Sequence, residues 1–156
     1  MPRTNAGFQS APAPSGALTL IGPTLYVDIG FDPKYKPQGA TAPPAPGIRQ
    51  VWALVDTGAS ECCIDSELAA TLGLPVVDQR QIGGAGGATT VSYFLAQIHI
   101  PALHFTMWGE FAGVHLAAGG QRHQALVGRT FLQRFTMAYD GRTGEVIIAG
   151  PDDHIT

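Results

Sequence analysis

The run Ala53-Leu54-Val55-Asp56-Thr57-Gly58-Ala59-Ser60 constrains this chain more than any other feature. Residues 48–55, "IRQVWALV", are strand-prone and end directly on a carboxylate. Burying a charge without compensation is costly. Asp56 therefore belongs either to a solvated turn, since Asp, Thr, Gly and Ser all form turns, or to the tip of a buried strand where the carboxylate has work to do.

The rest of the chain favours short strands. Residues 17–31, "ALTLIGPTLYVDIGF", alternate in the manner of a half-buried strand, with Tyr26, Asp28 and Gly30 set against Leu25, Val27 and Ile29. The stretch 75–108 is strand-like and punctuated by glycines, and 136–150 reads as a hairpin around an Asp-Gly-Arg-Thr-Gly turn. Two helices are expected. In "DSELAATLGL" (65–74), Ile64, Leu68 and Leu72 recur at helical spacing, Asp65 or Ser66 can cap the start and Gly73 the end. In "ALVGRTFLQRF" (125–135) an apolar strand runs into a short helix on which Phe131, Leu132 and Phe135 share a face. Residues 1–16 read as a flexible tail, 17–150 as one domain carrying an exposed Pro-rich insert at 32–47, and 151–156 as a second tail. The expected class is mostly β and barrel-like.

Composition removes several functions. With 156 residues, a net charge of −3 and no basic cluster, the chain suits one domain and is a poor partner for nucleic acid or an anionic membrane. No apolar run approaches the roughly 18 residues of a membrane span, and Pro12, Pro14 and Gly16 interrupt anything like a signal peptide. A cytoplasmic location is the expectation. Cys62 and Cys63 are adjacent and make no useful staple; they read as small hydrophobes. The five histidines lack a zinc-binding spacing, and neither a metal nor a cofactor is expected. The cluster Gly83, Gly84, Gly86, Gly87 is followed by Thr89, Thr90, Val91 and Tyr93, which favour strand; it fits a hairpin tip rather than a phosphate cradle, which needs a following helix.

That leaves Asp56. Amide hydrolysis by carboxylates uses two acids close enough to share one proton, one acting as base on a water and the other as hydrogen-bond donor to the carbonyl. This chain holds no second Asp-Thr/Ser-Gly: Val27-Asp28-Ile29-Gly30 lacks the hydroxyl and Tyr139–Gly144 has hairpin-turn chemistry. One chain thus carries half a site, and a two-fold dimer would supply the other half as a second Asp56.

Asp56-Thr57-Gly58-Ala59-Ser60, preceded by Ala53-Leu54-Val55, resembles the active-site turn of the retropepsin-like, or retroviral-type, aspartic proteases. Two further segments match in order: Ile82-Gly83-Gly84-Ala85-Gly86-Gly87 resembles their glycine-rich flap, and Leu126-Val127-Gly128-Arg129 the motif that leads into the helix behind the site. The likeness spans residues 17–150 and is nearer to cellular and bacterial single-domain members than to viral ones. It implies a closed β-barrel with a half-site per chain and a homodimeric endopeptidase acting on extended, largely apolar peptides. It also implies roles. Asp56 would be the catalytic carboxylate, Thr57 would brace the paired loops across the dimer, and Gly58 would offer its carbonyl to the substrate backbone. Leu54 and Leu126 would line side-chain pockets, Ser60 would stand beside the substrate, and Gly83, Gly84, Ala85, Gly86 and Gly87 would close over it. Gly128 and Arg129 would support the loop. Where viral enzymes often carry an acid that pairs with arginine, this chain has Ser60, so Arg129 needs another partner, with Glu61 a candidate. A non-catalytic peptide-binding or dimerisation module on the same fold is the alternative.

Overall fold

The computed structural model describes residues 2–8, 12–38, 42–84 and 86–151; the remaining positions, Ala85 among them, lie outside the described residues. In chain order the elements are β1 (Arg3–Asn5), α1 (Pro14–Ile21), β2 (Thr24–Gly30), β3 (Ile48–Val55), β4 (Cys63–Asp65), α2 (Ser66–Thr71), β5 (Val76–Gly84), β6 (Gly87–Ile100), β7 (Phe105–Val114), β8 (Ala125–Val127), α3 (Arg129–Leu132), β9 (Thr136–Asp140) and β10 (Glu145–Ala149), with a 3-10 turn at Pro101–Leu103.

Seven strands form one sheet in the order β2-β3-β8-β4-β7-β6-β5. The sheet curls on itself because β2 also pairs with β6, through Asp28↔His99, Ile29↔Ile98 and Gly30↔Gln97. Six strands thus make a barrel whose seam is only these residue pairs, and β5 projects from it as one arm of a hairpin with β6. Alternation along the strands explains the packing: Val27, Ile29, Ala53, Ile64, Ile98 and Val127 point inward and have no exposed surface. Each large aliphatic side chain buried in this way contributes about 1.5–3 kcal/mol. Phe131 of α3 closes one end, in an aromatic cluster with Phe105 and Phe135.

A smaller sheet, β1-β10-β9, sits beside the barrel. It corrects the expectation of a loose tail over residues 1–16, because Arg3–Asn5 pairs antiparallel with β10. The reason is local: Ala6 is buried, and the Asn5 side-chain oxygen accepts from the N–H groups of both Gly7 and Val146. The strand expected from residue 17 onward is also corrected, since Pro14–Ile21 is helical. The short apolar run "ALTLI" suits either state; Pro14 in the first turn and Gly22 at φ +85° past the end settle it, with Leu18 as the buried anchor.

Other expectations hold. Asp65 caps α2 by accepting from Leu68 N–H, Gly73 follows the helix at φ +66°, and β9–β10 is a hairpin turning at Asp140–Gly144. The 32–47 insert is fastened at both ends. Asp32 accepts from Lys34 and Ala45 N–H, and the buried Gln97 amide bonds both the N–H and the carbonyl of Asp32.

Candidate active site

Asp56 follows β3 where two parallel strands end together. β3 and β8 pair in register, Ala53↔Ala125, Leu54↔Leu126 and Val55↔Val127, and the Asp56 N–H continues the ladder by donating to Val127 O at 2.9 Å. The carboxylate is half-buried, and its Oδ1 accepts from Gly58 N–H at 2.9 Å. Gly58 is a fitting residue there, because a Cβ would lie 3.1 Å from that same oxygen. Among the described residues this N–H is the carboxylate's one hydrogen-bond partner.

The turn after Asp56 is strapped to the segment that opens α3. Arg129 N–H donates to Ala59 O at 2.9 Å and Thr130 N–H to Ser60 O at 3.0 Å, while Gly128 N–H donates to Cys62 Sγ at 3.4 Å. The two segments approach so closely that a Cβ on Gly128 would lie 2.6 Å from both Ala59 O and Glu61 O. The Arg129 guanidinium finds its partner inside this strap: Nη1 donates to Thr57 O at 2.7 Å, replacing the expected pairing with Glu61. The Thr57 carbonyl is thereby committed, whereas its side-chain hydroxyl and that of Ser60, both on exposed residues, have no partner among the described residues.

Leu54 and Leu126, paired across β3 and β8, are half-buried and lie in one row of the sheet. The same row continues to Cys63 of β4, which pairs with Leu126. Paired residues share a face, so Cys63 lies on the same face as the two leucines. Sequence reasoning passed over it, and register alone brings it there. Burial first, then the neighbouring Cys62, Glu61 and Asp56, pushes the Cys63 thiol up to about 11, so at neutral pH it is an uncharged, weakly polar packing group. Cys62 was likewise read only as a small hydrophobe; it is buried, but its sulfur also holds Gly128.

The glycine-rich segment is a hairpin tip, as its flanking β-formers imply. Gly83 pairs with Ala88 and Gly84 with Gly87, Gly87 adopts φ +102°, and Gly86 is exposed. Ala85 lies outside the described residues. Among the described residues no group of three His, Cys, Asp or Glu side chains is placed to hold a metal ion, and no helix is long and apolar enough to cross a membrane.

The family described as "Aspartyl protease" matches residues 46–131, more than half of the chain, running from just before β3 into α3. No curated protein sequence matches. Among solved structures, a retropepsin-like aspartic protease from Rickettsia conorii shares 17% identity, covers 80% of each chain and superposes with a TM-score of 0.48. The EIAV protease complexed with the inhibitor HBY-793 shares 20% identity over 71% of this chain and 85% of its own, with a TM-score of 0.40.

Proposed function

The chain belongs to the aspartyl protease family, and from that premise we propose that it is an endopeptidase whose active form is a homodimer, with one Asp56 from each chain. The observation that carries this reading is the isolation of Asp56. A carboxylate is fixed at a strand tip by a backbone ladder and a glycine N–H, yet among the described residues no second carboxylate bonds it. Hydrolysis needs two such groups. A two-fold axis passing beside the Asp56 turns brings the second, and it sets the unpartnered Thr57 hydroxyl against the opposite loop.

In the dimer the two Asp56 carboxylates share one proton. The ionised one takes a proton from a water as that water attacks the scissile carbonyl carbon; the protonated one donates to the carbonyl oxygen as the tetrahedral intermediate forms. Proton transfer to the amide nitrogen then lets the C–N bond break. Gly58 offers its carbonyl to the substrate backbone, Leu54, Leu126 and Ser60 border the cleft, and Gly83–Gly87 closes over an extended peptide, adding backbone hydrogen bonds in the manner of an added strand. Gly128 and Arg129 hold the catalytic turn. The substrate is an extended, mostly apolar peptide segment. The cysteines require no oxidising compartment, consistent with a cytoplasmic protein.

The test is cleavage of a diverse peptide mixture from about pH 3 to about pH 8, which spans the carboxylate and histidine ranges, read by mass spectrometry beside Asp56→Asn. Cuts that vanish in the variant, with its unfolding temperature unchanged, are the expected result. Undiminished cleavage by Asp56→Asn would refute the assignment. No cleavage by either protein, at concentrations where the dimer is present, would leave a peptide-binding module in its place.

A further inference from the structure

β7 is covered on both sides only near its end. β6 pairs with it from Phe105 to Ala112, but on the other side β4 pairs only with Ala112, Gly113 and Val114. Among the described residues no strand covers Phe105–Trp108 on that second side. Gly109, at φ +131°, bounds the free stretch by turning the backbone into a conformation that side chains rarely adopt. A free strand edge presents backbone donors and acceptors that another extended segment can pair with.

This edge opens onto a cleft of about 390 Å³ between β7, α3 and the residues that follow the Asp56 turn. That volume is in the range of ligand sites. Cys62 and Thr130 line it, and Trp108, 57% exposed, stands at a junction with a second hollow beneath the Tyr35–Gln38 segment of the insert. Glu61 and Arg134 also line the cleft, and neither has an ion-pair partner among the described residues. The cleft therefore combines an unpaired backbone edge, an exposed aromatic ring, and Glu61 and Arg134 without ion-pair partners among the described residues. The Arg134 guanidinium lies over the Phe105 ring, and Glu110, paired with Arg80, also lines the cleft.

We propose that this edge is an exosite: an extended segment of a protein substrate, remote from the bond being cut, lies along Phe105–Trp108 as an added strand. Its basic side chain meets Glu61, its acidic side chain meets Arg134, and a proline or apolar residue crosses Trp108. The charges of the cleft and its continuity with the catalytic turn select this occupant. Glu61 and Cys62 directly follow that turn, and Thr130 N–H bonds Ser60 O. Five peptide units from Asp56 to Glu61 reach at most about 18 Å, so a handful of extended residues would connect the two sites on one polypeptide. Calling the partner a substrate rests on the protease reading; the binding itself does not.

The experiment uses full-length Asp56→Asn, so turnover plays no part, with the peptide acetyl-Thr-Lys-Val-Thr-Val-Glu-Pro-amide as probe. Amide hydrogen exchange by NMR and Trp fluorescence are followed during titration. The expected result is saturable protection of amides within Phe105–Trp108. Glu61→Lys with Arg134→Glu, and separately Trp108→Ala, should each weaken binding by about tenfold or more; all three positions are exposed, so these variants should fold. Protection confined to the Gly83–Gly87 hairpin would assign the probe to the catalytic cleft alone and overturn the proposal. So would no binding up to about 1 mM, the limit of a weak transient contact. Protection of the edge without probe, appearing with a rise in particle mass beyond the dimer, would give the edge to another copy of the chain and equally overturn it.

Discussion

Replacing Gly128 with alanine tests whether the strap behind Asp56 is as tight as its geometry says. The added methyl carbon would sit 2.6 Å from Ala59 O, 2.6 Å from Glu61 O and 3.0 Å from the Glu61 carbonyl carbon. All three atoms are backbone, so no side chain can swing away. An ordinary carbon–oxygen contact needs roughly 3.4 Å or more, which forces the 59–61 segment and α3 apart by most of an ångström. Overpacking of that kind costs about 1–3 kcal/mol. Weakening the Arg129 N–H bond to Ala59 O adds about 1 kcal/mol. A total near 3 kcal/mol corresponds to a fall in unfolding temperature of about 6–12 °C for a chain of this size. Catalysis should suffer more, because displacing a reacting group by about 1 Å can cost about 100-fold. Thermal unfolding and peptide turnover are measured at equal protein concentration, since dimer formation itself shifts the unfolding temperature. Gly128→Ala with wild-type unfolding temperature and wild-type kcat/KM would refute the reasoning.

Arg129→Met removes the 2.7 Å bond to Thr57 O and should lower kcat/KM about tenfold through loosening of the turn; Arg129→Lys should recover only part, because an ammonium cannot reproduce the guanidinium fork. An unchanged kcat/KM in both would remove Arg129 from the support of the site. Cys63, with its thiol pushed up to about 11, should resist iodoacetamide at neutral pH and react faster as pH rises; rapid alkylation near pH 7, located by mass spectrometry, would contradict the raised thiol pKa of this half-buried side chain. The buried His123 imidazole shares a 2.8 Å hydrogen bond with Thr24 Oγ1, and burial, with Arg122 adding to it, holds its pKa below 6.5. The folded state thus favours neutral His123, so stability is complete above about pH 6.5 and declines as pH falls below it, where the unfolded chain takes up the proton first. His123→Gln should flatten that part of the unfolding profile, and an unaltered slope would count against it.

Much of this arrangement is visible in the amino acids because the deciding interactions are local. Asp65 is one side chain away from the N–H it caps, the Asp140–Gly144 turn carries its own chemistry, and β-branched residues on either side of Gly83–Gly87 leave a hairpin as the fitting form. What escaped depends on partners distant in sequence. Arg3–Asn5 becomes a strand because β10 lies beside it, and Asn5 bonds Val146 across 141 positions. Cys63 joins the face of Leu54 and Leu126 through strand register, and Arg129 meets Thr57 O across 72 positions. Asp65 shows both sides of this. Its cap on Leu68 N–H was legible, but its other oxygen accepts from Leu116 and Ala117 N–H, which leaves a 1% exposed carboxylate joining α2 to the loop before β8.

β6 behaves as a cantilever. From Tyr93 to Ile100 it is clamped by β7, and His99, Ile98 and Gln97 are gripped on the other edge by β2. From Gly87 to Ser92 it has, among the described residues, β5 alone as a paired neighbour. A two-stranded ribbon is marginally stable by itself, so bending is concentrated beyond the clamp while the root stays rigid. The work of lifting the glycine tip is then separate from the work of opening the barrel. A substitution at Gly86, where a Cβ would meet nothing within 4 Å, can change how fast the beam swings without moving the temperature at which the molecule melts, whereas one at Gly87, held at φ +102°, would strain the tip itself.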